Sequence, residues 1–92
     1  MRRQQDALSF FPETRLEVPL RDESLMRLKL RRLLIDARNA KRLNQTQLAE
    51  SLGRRQNFVS AYETGRRIEV VEFLRIAEAL GLDPKAVIEE LG

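Results

Sequence analysis

Five runs of apolar residues at helical spacing, separated by cap and turn signals, account for most of the chain from Ser24 onward. In the first, about residues 24–41, Met26, Leu30, Leu33, Leu34 and Ala37 form the stripe of a helix with one face on a core. Leu25, Leu28 and Ile35 widen that stripe, and Ser24 or Asp22 can cap it. The second run, 45–52, is opened by Asn44. Its side chain can accept from a free backbone N–H while Gln47, three residues on, answers it. Leu48, Ala49 and Leu52 fall on one face, and Leu43 is placed to pack against Leu48. Gly53 then allows a left-handed turn without a Cβ penalty. The third run, 56–63, has Phe58, Val59 and Tyr62 apolar, and Gln56, Asn57, Ser60 and Ala61 polar or small, before Gly65 closes it. The fourth, 69–80, places Val70, Phe73, Leu74, Ala77 and Leu80 towards a core and ends at Gly81. The fifth, 84–91, starts at Asp83 and Pro84, a strong helix-start pair, and carries Val87, Ile88 and Leu91 as its apolar face. The expected fold is all-α, with five helices.

The second and third helices are too short to stand alone, since helices under roughly 12–15 residues are marginal in water. They must pack on each other and on the rest. The small Ala49 admits close approach, with Val59 and Tyr62 facing Leu48 and Leu52, and the Tyr62 hydroxyl needs a partner. What remains outside is a short surface of Gln56, Asn57, Ser60 and Ala61. Arg54 and Arg55 stand at one end of it, Arg66 and Arg67 at the other. Amides of this kind can reach base edges, and guanidinium groups suit phosphates. Phe58 is either core or an apolar contact at the rim of that surface.

Charge sharpens the picture. Residues 27–67 hold eleven Lys and Arg against three acids, while residues 1–26 hold four against five and residues 68–92 two against six. The basic block coincides with the surface just described, the footprint of a polyanion-binding face. Arg27, Lys29, Arg31 and Arg32 lie on outer faces of the first helix and singly read as solvated charges. Glu69, Glu72, Glu78, Glu89 and Glu90 make an acidic exterior turned away from the polyanion. With neither Cys nor His in the chain, disulfides, soft-ligand metal sites and the commonest nucleophile–base pairs are excluded. No cofactor motif is present, and an enzyme is not expected. No apolar run approaches the roughly 18 residues of a membrane span, so no membrane partner is implied. Met1-Arg2-Arg3 leads into polar residues rather than an apolar leader.

Residues 1–23 are set apart as an N-terminal arm from the domain at residues 24–92. Pro12 and Pro19 bias their predecessors towards extended backbone. Leu16, Val18 and Leu20 alternate with Arg15, Glu17 and Pro19, a weak strand signal over 15–20. The arm can be disordered, can pair across a dimer, or can reach DNA through Arg2 and Arg3. Phe10 and Phe11 favour docking on its own domain or on a twin.

Together, Gln45, Leu48-Ala49, Leu52-Gly53, Val59, Tyr62-Glu63 and Gly65 resemble the helix-turn-helix of λ-repressor-like regulators of the Cro and xenobiotic-response-element type. The resemblance covers about residues 25–91. It implies a sequence-specific regulator of transcription, cytoplasmic and of bacterial or phage type, binding double-stranded DNA as a dimer on a palindromic site. Residues 56–63 would then lie in the major groove. It places Gln45 against DNA, in keeping with a side-chain amide at a helix start that can hold a phosphate. It also puts Gln56, Asn57 and Ala61 in the groove and Ser60 near the backbone. Arg66 and Arg67 fall on the bounding phosphates, Arg38 and Glu63 form an ion pair, and the last helix lies near a dimer interface. Two positions depart from the pattern. Arg54 replaces an aliphatic residue, which costs core burial unless its stem lies along the surface. Arg55 replaces a Ser or Thr cap and is available for a phosphate or a base. Two other functions remain open: the DNA-binding antitoxin of a toxin–antitoxin pair, meeting its partner through residues 1–23, and a helical protein-interaction module without DNA.

Overall fold

Asn44 initiates its helix as a reciprocal cap: its side chain accepts from the Gln47 N–H at 2.8 Å, and Gln47 accepts from the Asn44 N–H at 2.8 Å. Gly53 and Gly81, each at φ 70°, close the helices before them in the left-handed conformation that favours glycine. The Asp83 side chain accepts from the Lys85 N–H ahead of Pro84. These signals mark ends of three of the five helices in a computed structural model that describes residues 13–92, with side chains from Glu23 onward. The elements are α1 (Glu13–Ala40), α2 (Gln45–Leu52), α3 (Gln56–Glu63), α4 (Val70–Leu80) and α5 (Pro84–Leu91). No strand occurs among the described residues.

α1 is the departure. It begins at Glu13 rather than near Ser24, so the weak strand expected at 15–20 and the rest of the arm over 13–23 are helical instead. Propagation from an existing helix fixes one residue per added bond and escapes the cost of a new nucleus. Glu, Leu and Arg in this stretch are good helix formers. Pro19 removes one N–H from the ladder, and the turns on either side carry it. At its other end α1 turns through Arg42 at φ 59°, a left-handed residue that is not glycine. Residues 1–12, with Arg2, Arg3, Phe10 and Phe11, lie outside the described residues, and so does the partner contact expected of them.

All five helices feed one apolar cluster: Leu34 from α1, Leu48, Ala49 and Leu52 from α2, Val59 and Tyr62 from α3, Phe73, Ile76, Ala77 and Leu80 from α4, and Val87 from α5. Leu43 packs against it from the α1–α2 link. The buried stripe of α4 is 73-76-77-80, one step round from the expected one. Ile76 is therefore fully buried, whereas Val70 and Leu74, expected inside, are exposed. On α5 only Val87 is buried, and Ile88 is exposed. On α1, Leu25, Met26 and Leu28 are exposed as well, and packing starts with Leu30 and Leu33.

Tyr62 is completely buried, and its hydroxyl has no hydrogen-bond partner, contrary to expectation. Burial, with Glu63 nearby, pushes the phenol well above its ordinary pKa and keeps it protonated. A buried polar atom left unpaired costs about 1–3 kcal/mol. Tyr62→Phe, which deletes only that oxygen, should therefore match or exceed wild type in a urea melt. A clear fall in the midpoint would show that the hydroxyl has a partner.

Candidate nucleic-acid interface

α2 and α3 make the most extensive contact between any two helices of the described chain. Ala49, 1% exposed, lies within it, and the absence of a larger side chain there lets α3 come close. The turn between them is held by the Arg54 N–H donating to the Ala49 carbonyl at 2.9 Å. Arg55 then stands at the cap position of α3 in extended conformation, without a side-chain cap bond. The outer face of α3 is open: Gln56 and Asn57 are exposed, and Ser60 and Ala61 are half-buried.

Beneath this face runs a chain of polar contacts. Arg38 donates from Nε to Glu63 Oε2 at 2.7 Å, from Nη2 to Glu63 Oε1 at 3.1 Å, and from Nη1 to the Leu43 carbonyl at 2.7 Å. The two side chains are only 12% and 5% exposed. The hydrogen bond to Glu63, more than its charge, raises the Arg38 pKa above the ordinary value. Gln45 Nε2 donates to Glu63 Oε1 at 2.9 Å, and Gln56 Nε2 donates to Gln45 Oε1 at 2.6 Å. The polarity of this chain is dictated from its buried end. An ionised carboxylate only accepts, so Gln45 must turn its NH₂ inward and its carbonyl outward. Gln56 must then donate to that carbonyl. Its own carbonyl and second N–H remain for solvent.

A second cluster flanks α3. The Arg54 guanidinium lies 4.3 Å from the centre of the Phe58 ring, and that of Arg66 lies 5.2 Å from it. Phe58 meets Tyr62 edge-on, with centroids 5.6 Å apart. It is half-buried, packed on the core from below and roofed by guanidinium groups, as the core alternative requires. Glu72 holds the two arginines, at 3.2 Å from Arg66 and 3.7 Å from Arg54. Its carboxyl lies below the usual range, chiefly because it accepts from the Glu69 N–H, with Arg66 and Arg54 adding to the effect. Glu72 was expected on an acidic exterior remote from the basic face; it is instead that face's internal counter-ion. Arg55 and Arg67 are exposed.

Sequence reasoning missed the Gln45–Gln56 bond and the role of Glu72. The first joins residues eleven apart on different helices. The second depends on how α4 crosses the turn, which no local pattern reports. Among the described residues no group of His, Cys, Asp or Glu could hold a metal ion, and no helix is long and apolar enough to cross a membrane.

Two short helices joined by a left-handed glycine turn, the second open on its outer side, define a helix-turn-helix, a class of DNA-binding regulators. The chain matches the family described as Helix-turn-helix domain over residues 29–91. A solved structure described as an XRE-family like protein from Pseudomonas syringae pv. tomato str. DC3000 is 38% identical, with a TM-score of 0.72 over 75% of this chain and 85% of that one. No curated protein matches the chain. The chain belongs to the XRE family of helix-turn-helix regulators.

Removing one partner of a buried ion pair strands the other, at a cost of about 3–5 kcal/mol. Arg38→Ala and Glu63→Ala should each lower the urea midpoint accordingly, and Arg38→Met with Glu63→Leu together should cost less than either alone. Wild-type melts for both single variants would mean that the pair contributes nothing.

Proposed function

We propose that the protein is a sequence-specific regulator that binds duplex DNA as a two-fold dimer, with α3 laid in the major groove of each half-site. The observation that carries this reading is the open amide on Gln56, held from behind by Gln45 and Glu63. Its free carbonyl and N–H form the acceptor–donor pair that adenine needs at N6 and N7. Gln45 acts here as the positioning residue as well as the phosphate neighbour expected of a helix start. Asn57 and Ala61 complete the reading surface, with Ala61 suited to a thymine methyl group, and Ser60 lies near the backbone. Arg55, Arg66 and Arg67 grip phosphates.

Dimerisation through the α5 side is supported by Ile88, an apolar residue 57% exposed on the last helix. Two recognition helices related by a two-fold axis would meet half-sites one turn apart, at about 34–36 Å. Regulation would follow from occupancy of the site, by blocking or recruiting polymerase.

Selection of bound sequences from random duplex, repeated with Gln56→Ala, tests this directly. Wild type should enrich a palindromic motif, and the variant should lose information at a defined position in each half-site, at about 1–3 kcal/mol per base pair. Gln45→Ala should blur the same position, because the Gln56 amide is then free to turn over. Arg67→Ala should weaken all sites evenly. The absence of salt-sensitive binding to any duplex would overturn the reading in favour of a protein-interaction module.

A further inference from the structure

Between the middle of α1 and the loop after α3 lies an open pocket of about 140 Å³. Its lining includes four arginines, Arg27 and Arg31 from α1 and Arg66 and Arg67 from the loop, with Leu30 and Ile68 between them. Arg27 and Arg31 stand four apart on the helix stripe that continues, at Leu34 and Arg38, into the contacts beneath α3. The two arginines of α1 are therefore brought to the basic loop by the same packing that positions the recognition helix, not by chance solvent exposure.

The charge around this pocket is only partly balanced. Arg27 pairs with Glu23 at 2.6 Å and Arg66 with Glu72 at 3.2 Å. Neither Arg31 nor Arg67 has an acidic partner among the described residues. Gathering like charges at one opening is unfavourable unless an anion meets them. Guanidinium forks match phosphate oxygens geometrically as well as in charge. The half-buried apolar groups between them suit the C–H surface of a sugar, which an inorganic ion would leave uncovered. The loop that supplies Arg66 and Arg67 directly follows α3, so the pocket continues the proposed DNA surface sideways.

We infer that this pocket receives a stretch of DNA sugar–phosphate backbone beyond the bases read by α3, with Arg27 and Arg31 as a phosphate clamp outside the helix-turn-helix. The inference rests on the duplex-binding reading above. It assigns to two residues of α1 a role that their surface position alone did not suggest.

The test is the salt dependence of binding by wild type and by Arg27→Ala/Arg31→Ala, on the enriched duplex with long flanks and on one trimmed to the bases read by α3. Two lost phosphate contacts should make the log–log slope shallower by about 1.8, at about 0.9 per phosphate. The ratio of affinities for enriched and random duplex should not change, and the trimmed duplex should erase the difference between the proteins. Arg27→Lys/Arg31→Lys should keep the wild-type slope, and matching thermal melts would show that all three proteins are folded. Equal slopes for wild type and the alanine variant on the long duplex would overturn the inference. If inorganic pyrophosphate then raised the melting temperature of wild type alone, the pocket would belong to a free phosphate ligand. Failure of the base-reading proposal is distinguishable, because slopes can be compared on random duplex even when no motif is enriched.

Discussion

The carboxylate of Glu63 is the constraint on which the interface depends. It lies at the end of α3, accepts two bonds from Arg38 on the first helix, and accepts a third from Gln45 on the second. A buried ion pair is not in itself a source of stability, because both charges lose their hydration. Its effect here is geometric. Three helices must converge on two oxygen atoms, and the angles at which they do so leave α3 facing outward with its first amide already aligned.

The surroundings of Phe58 show how the chain accommodates its unusual turn. An aliphatic residue at position 54 would bury a side chain; the arginine lays its stem along the surface and its guanidinium over the ring. Contacts of that kind are worth about 0.5–1 kcal/mol at exposed sites. Glu72 limits where Arg54 and Arg66 can point. The basic face is thus partly neutralised from within and held in order, rather than being a loose fringe of long side chains.

Legibility followed the range of the interactions. Both limits of α2 and the start of α5 are written in neighbouring residues: the Asn44–Gln47 pair, Gly53, and Asp83 with Pro84. The open face of α3 could be read from its polar stripe alone. The start of α1 could not, because Pro19 and the alternation around it imitate an extended segment, and only continuity with the helix beyond overrides them. Its end at Arg42 carried no glycine to announce a left-handed residue. Val70, Leu74 and Ile88 have the spacing of core residues and are exposed, since a helical stripe does not say how far round the partner surface extends. The polar chain from Arg38 to Gln56 was legible only at its ion pair. Its amide links depend on the crossing of two helices.

The uncapped beginning of α3 carries a consequence for evolution and engineering alike. A serine at position 55 would fasten the first turn, worth about 0.5–2 kcal/mol in other proteins. It would also delete an exposed guanidinium beside the open face of α3. Under the proposed function, robustness and grip are therefore set against each other at one codon. Sequences drifting towards greater thermal tolerance at that site would become poorer binders while looking, by every measure of folding, like improved proteins.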